Sequence, residues 1–97
     1  MELTLSDLAI IDLANIFNYT IDVWGERQAY RYQELIDNGL AAITENPTLV
    51  LSKDADQYFP EARSLKVEKH HIYYVVEDDE IVVLRILHQS MNPELHF

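Results

Sequence analysis

The stretch His71–His88, "HIYYVVEDDEIVVLRILH", decides the fold. Ile72 to Val76 is an apolar run rich in β-branched and aromatic residues, and Ile81 to His88 is a second. Four acids, Glu77-Asp78-Asp79-Glu80, separate them. Short runs of this composition on either side of a polar turn read as a β-hairpin. The stretch therefore predicts strands near 71–76 and 81–88. Just upstream, Leu65 and Val67 alternate with Ser64, Lys66 and Glu68, which predicts a strand near 63–68 turning at Glu68-Lys69. Downstream, the tail from Gln89 to Phe97 lies beyond the last strand yet keeps Met91, Leu95 and Phe97. Exposed apolar side chains of this kind can mark a binding surface, and they can equally fold back onto the sheet.

Arg85 is a permanent cation inside the second run. In a regular strand it shares a face with Val83 and Leu87, while Leu84, Ile86 and His88 take the other. A half-buried guanidinium persists only if it finds carboxylates or carbonyls, or reaches the rim of the sheet. The acids within reach of such a layout are Asp12, Glu34 and Asp37. The ordinary reading is an arginine that pins helix to sheet; a partner contact is the alternative.

The N-terminal half has a different period. After a possible strand at Leu3–Leu5, Ser6 and Asp7 offer an N-cap and a first-turn acid. Ala9, Leu13, Ile16, Phe17 and Thr20 then recur at helical spacing to about Val23. Gly25 suits the end of that helix. Ala29, Tyr32, Ile36, Leu40 and Ile43 form the stripe of a second helix, which ends before Pro47. Two helices joined across one glycine predict an antiparallel hairpin. Residues 47–62, with Asp54, Asp56 and Pro60, read as loop. The order β-α-α-β-β-β predicts a single α+β domain over residues 1–97, a helical hairpin packed on one face of an antiparallel sheet.

The totals narrow the function. With 97 residues the chain suits one domain able to bury roughly 60–65% of its unfolded surface. No apolar stretch approaches the roughly 20 residues that span a bilayer, and the acidic start lacks the basic region of a signal peptide. The absence of cysteine removes thiolate metal sites and disulfides and suits a cytoplasmic protein. Seventeen acids against seven bases give a formal charge of −10, which opposes binding to RNA or DNA and favours a protein partner. No nucleophile elbow, P-loop, dinucleotide fingerprint or HExxH motif occurs. His70 and His71 point to opposite faces of a strand and chelate poorly. Neither a metal nor a cofactor is expected, and no catalytic residue is assigned.

Five blocks in order give a family resemblance. "LSDLAIIDLANIFNYT", "WGERQAYRYQELI", "ENP", "RSLKVEKHHIYYVV" and "VVLRILHQSMN" resemble the ParE branch of the RelE/ParE toxin superfamily of bacterial type II toxin–antitoxin systems. The matching positions include Asp12, Leu13, Trp24, Gly25, Tyr32, Arg63, His70, Arg85, His88 and Met91. The resemblance implies a toxin that binds and blocks DNA gyrase, has no covalent chemistry of its own, and is neutralised by a ParD-like antitoxin. That antitoxin is expected to combine helix-in-groove docking with strand addition. The groove between helical hairpin and sheet is its expected receptor, with Trp24, Tyr30 and Ile21 as apolar anchors. Arg63, Arg85, His88 and Met91 complete the expected partner-binding set, and a homodimer or a toxin–antitoxin hetero-oligomer fits equally. RelE-like relatives imply an alternative, an mRNA endonuclease on the ribosome, for which Lys66, Lys69, Tyr74, Arg85 and His88 would be the raw material. A non-toxic homologue that still binds an antitoxin is the third reading.

Overall fold

The computed structural model describes residues 1–97. β1 (Glu2–Leu5) runs into α1 (Asp7–Trp24) through Ser6 alone. The Ser6 hydroxyl accepts from the Ala9 amide at 3.1 Å, capping the helix, and donates to the Leu84 carbonyl at 2.7 Å. One side chain thus starts α1 and fixes it against the sheet. Ala9 and Thr20 are buried on the inner face of α1, and the Thr20 hydroxyl is satisfied by the Ile16 carbonyl. Gly25, at φ 92°, ends α1 and begins α2 (Glu26–Glu45). The positive φ lets the chain reverse in a single residue. Ala29, Ile36, Leu40 and Ile43 are buried along α2, as their spacing predicts.

β2 (Lys53–Asp54), β3 (Arg63–Val67), β4 (His70–Glu77) and β5 (Glu80–His88) follow, and a short 3-10 turn at Pro93–Leu95 ends the chain. The sheet has five strands in the order β1-β5-β4-β3-β2. The expected α+β layering forms, with two differences. First, the sheet is mixed, because β1 pairs parallel to β5, Glu2 opposite Glu80 through Leu5 opposite Val83. The Ser6 amide continues that ladder to the Val83 carbonyl at 2.9 Å, which locks the direction of β1. Second, the stretch 47–62 contains a two-residue strand, β2, paired with Arg63 and Ser64. Asp54 and Asp56 accept from the amides of Asp56 and Glu61, folding the loop back so that the Ala55 amide reaches the Ala62 carbonyl.

Regular alternation also fails within β5. Tyr73 pairs with Arg85 and Tyr74 with Val83, so Leu84 is left without a partner in a bulge. The extra residue moves Val83 onto the helix side with Ile81 and Ile86, and Leu84 onto the opposite side with Leu87. Arg85 therefore does not share a face with Val83. The main core lies between helices and sheet around Ile36, Ile43, Ile72, Tyr74 and Val83. A smaller cluster, Ala55, Ala62, Tyr73, Val75 and Leu87, lies on the other face beneath the β2–β3 loop.

Candidate partner-binding groove

The hairpin from β4 to β5 is paired in register so that His70 stands opposite His88. Their rings meet edge to face, with centroids 5.1 Å apart. Above them passes the C-terminal half of α1. The space between is a groove of about 440 Å³, walled by Ile16, Tyr19 and Trp24 on the helix side and by Lys69, His70 and His88 on the sheet side. Trp24 and Tyr19 are 66% and 64% exposed, so both stand on its rim.

The groove floor is held by a hydrogen-bond chain. The Lys69 amide donates to the Tyr32 hydroxyl at 3.1 Å, which leaves the hydroxyl hydrogen for His70 Nδ1 at 2.6 Å. His88 Nδ1 accepts from the Ser90 amide at 3.0 Å and lies 2.7 Å from the Ser90 hydroxyl. With the Ser90 amide bonded to its Nδ1, the His88 ring carries a hydrogen on Nε2, and the His70 ring does so in the tautomer in which Tyr32 donates to it. Neither Nε2 has a protein partner, and no buried side-chain nitrogen lacks one, so both reach solvent. Burial, reinforced by the neighbouring His88 and His71, pushes His70 down to about 4, while Asp12 acts weakly in the opposite sense. Burial also raises the Tyr32 hydroxyl. The paired histidines do not suit a metal. The Ser90 amide occupies the His88 Nδ1 lone pair and places the hydrogen on Nε2, where a cation would need a lone pair.

The remaining residues of the predicted set are dispersed. Arg85 turns around the free edge of β5 beyond the end of β1. Its Nε and Nη2 each donate to the Asp12 carboxylate at 2.9 Å, and Nη1 donates to the His96 carbonyl at 2.9 Å. Asp12 also accepts from the Ile86 amide. Of the three acids that the sequence offers, Asp12 is thus the partner, and hydrogen bonding to it raises the Arg85 pKa. Arg63 is bound to the Ser52 hydroxyl at 2.7 Å and the Ser52 carbonyl at 3.3 Å. Tyr30 packs edge-on to Phe17 at the helix–helix junction, outside the groove. Ile21 is half-buried and does not line the groove either. Met91 lies beyond the strand end, outside it. The tail splits: Phe97 stacks among Tyr58, Phe59 and Tyr73, whereas Leu95 is 79% exposed.

The groove therefore gathers Trp24 and His88 of the predicted set and adds Tyr19, Lys69 and His70, with Tyr32 holding the last two from beneath. The sequence reading misses this group because it depends on the register of β4 against β5, which periodicity does not give. On the far face, Lys53, Lys66 and His71 come close together; burial, then the two ammonium groups, lower the His71 pKa. At one end of the sheet, Glu2, Glu77, Asp78, Asp79 and Glu80 surround a shallow, strongly acidic depression.

The chain is thus an α+β protein in which a helical hairpin packs on a mixed sheet, with an aromatic-rimmed groove between them. The same fold occurs in a solved structure of the chromosomal ParDE TA system from P. aeruginosa, with a TM-score of 0.80 and 21% identity, covering 91% of this chain and 95% of that one. Residues 3–93 match the family described as ParE toxin of type II toxin-antitoxin system, parDE, and the chain belongs to that family. It is 32% identical over 84 residues to Toxin ParE of Escherichia coli, covering 84% of this chain and 78% of the relative. Toxin ParE1 of Mycobacterium tuberculosis is 32% identical over 89 residues, covering 91% and 89%. Toxin ParE1 of Caulobacter vibrioides is 29% identical over 92 residues, covering 95% and 93%.

Proposed function

We propose that this ParE-family chain binds and inhibits DNA gyrase by protein contact alone, without being an enzyme, and that a ParD-like antitoxin seated in the groove neutralises it. The observation that carries the non-enzymatic reading is the dispersal of most of the residues an mRNA endonuclease would recruit, of which only Lys69 and His88 meet, in the groove. Tyr74 is fully buried and donates to the Pro47 carbonyl. Arg85 is committed to Asp12 and His96, and His88 lies on the helix side. Lys66 faces away from that side, paired with His71. General acid–base cleavage needs such groups to converge on one phosphate. The formal charge of −10 adds a long-range penalty to any approach toward ribosomal RNA. A protein target needs only a locally complementary patch. The tail beyond the last strand, where Leu95 is exposed, together with the half-buried Arg63 held by Ser52, supplies that patch.

One observation favours the second reading. Lys53, Lys66 and His71 do gather on the open face beside Tyr73. The test is accordingly paired: purified protein in a gyrase supercoiling assay and in a ribosome-dependent mRNA cleavage assay. Blocked supercoiling with intact message is expected. Cleaved message with normal supercoiling would replace this reading by the endonuclease, and silence in both would favour a non-toxic antitoxin-binding homologue.

A further inference from the structure

We propose that the floor of the groove is a carboxylate subsite: it takes an acidic side chain of the antitoxin, at the Nε2–H groups of His70 and His88 and the Lys69 ammonium, while an apolar neighbour of that acid lies between Tyr19 and Trp24. The inference rests on the reading that an antitoxin occupies the groove, and adds the chemistry by which it is held. Three features of the molecule converge. The Ser90 amide fixes His88 as an Nε2–H donor, donation from the Tyr32 hydroxyl to His70 Nδ1 makes His70 the second, and both Nε2 atoms are unpartnered and reach solvent. Lys69 is the only charged side chain lining the groove, and no carboxylate lines it. By contrast, in this chain of seventeen acids and seven bases, the depression at the opposite end of the sheet is lined by five carboxylates.

The charge pattern selects the occupant. A basic side chain entering the groove would meet three donors and no acceptor charge. An uncharged apolar helix would leave two imidazole N–H groups desolvated and unpaired, which costs free energy. A carboxylate satisfies both and gains the charge-assisted contact to Lys69. The walls set the second requirement. Ile16, Tyr19 and Trp24 offer an apolar slot beside the donors, so a carboxylate alone uses half of the site. An amphipathic segment with a large apolar residue and an acid on one face fits both halves. The rest of that segment is free to be basic, as the surrounding surface prefers.

The single tryptophan reports directly on the site, because Trp24 stands on its rim. The full-length protein is titrated with 4-phenylbutyrate, 4-phenylbutanol, 4-phenylbutylamine and inorganic phosphate, followed by Trp24 fluorescence and by the histidine side-chain NMR signals. 4-Phenylbutyrate is expected to bind about tenfold more tightly than the alcohol, as a charge-assisted hydrogen bond warrants. Phosphate and the amine are expected to bind more weakly still. Lys69→Met should remove most of the preference, and Lys69→Glu should invert it in favour of the amine. Lys69 is exposed and its backbone makes the structural contacts, so both variants should fold. His88→Phe should weaken carboxylate binding without affecting the alcohol. Equal binding of acid and alcohol would overturn the proposal, as would a preference unchanged in Lys69→Met and His88→Phe. A response to phosphate equal to that of 4-phenylbutyrate would overturn it by making the site a plain anion site. Fluorescence that changes with protein concentration alone would assign the groove to a second copy of the chain instead. These outcomes are read on the isolated protein, so they stand apart from the supercoiling result.

Discussion

Arg85 shows how one side chain can serve fold and surface together. The end of β1 at Leu5 leaves the outer edge of β5 open beyond Val83. Such an edge invites pairing with other chains. Asp12 closes it by accepting from the Ile86 amide, and Arg85 then neutralises that carboxylate through two parallel bonds. The third donor holds the His96 carbonyl, which keeps Phe97 against Tyr58 and Tyr73. With Arg85 in place the Asp12 side chain is only 11% exposed, so removing the guanidinium leaves a half-buried carboxylate without its counter-charge. Arg85→Ala should therefore destabilise by about 2–4 kcal/mol, measured by urea unfolding. Arg85→Lys should recover only part of that, because an ammonium cannot make the two-pronged contact. A loss below about 0.5 kcal/mol for Arg85→Ala would mean that the pair behaves as an ordinary surface ion pair.

At the scale of elements, the helices were legible because each carries a stripe at helical spacing and an end signal, Ser6 at one end and Asn46-Pro47 at the other. The three long strands were legible for the same reason. Three things were not. β2 is too short to have a period, and its formation depends on aspartate side chains that fold the loop. The bulge at Leu84 changes which face each residue takes without leaving a mark in an all-apolar run. The third is Gly39, which lies in mid-α2 where glycine usually costs a helix about 1 kcal/mol. Its place is explained only by the packing: a Cβ there would stand 2.6 Å from Val67 Cγ2 and 3.3 Å from Ile72 Cδ1. α2 touches the sheet at this point, beside the strand that leads into the groove. Gly39→Ala should thus lower stability by about 1 kcal/mol despite better helix propensity, because overpacking costs about 1–3 kcal/mol. Val67 is the stiff neighbour, so Val67→Ala should remove the clash. In that background the alanine at 39 should become neutral or stabilising, a coupling that a double-mutant cycle of urea midpoints reads directly. A Gly39→Ala protein more stable than the parent would show that the sheet yields at this contact.

The whole molecule is a polarised body. Arg85–Asp12 is its one ion pair, so most of seventeen acids face water without a partner. Five of them, Glu2, Glu77, Asp78, Asp79 and Glu80, cluster at the end of the sheet opposite the groove, where pairing sets Glu80 against both Glu2 and Glu77. Like charges directly opposite on neighbouring strands destabilise a sheet. The groove end, with Lys69 and two histidines, is the contrasting pole. This arrangement steers a partner by its own charge distribution and repels polyanions, which is the behaviour expected of a protein-binding toxin rather than a nuclease. It also has a cost in stability that can be measured. Raising ionic strength from about 0.01 M to about 0.15 M shortens the screening length from about 30 Å to about 8 Å. With repulsive pairs far outnumbering attractive ones, the melting temperature should rise over that range. Glu80→Gln removes the acid common to both cross-strand pairs. It should stabilise the low-salt protein by about 0.5 kcal/mol and flatten the salt dependence. A melting temperature that falls with added salt would show instead that attractive pairs outweigh the acidic pole, and that the −10 charge is carried without strain on the sheet.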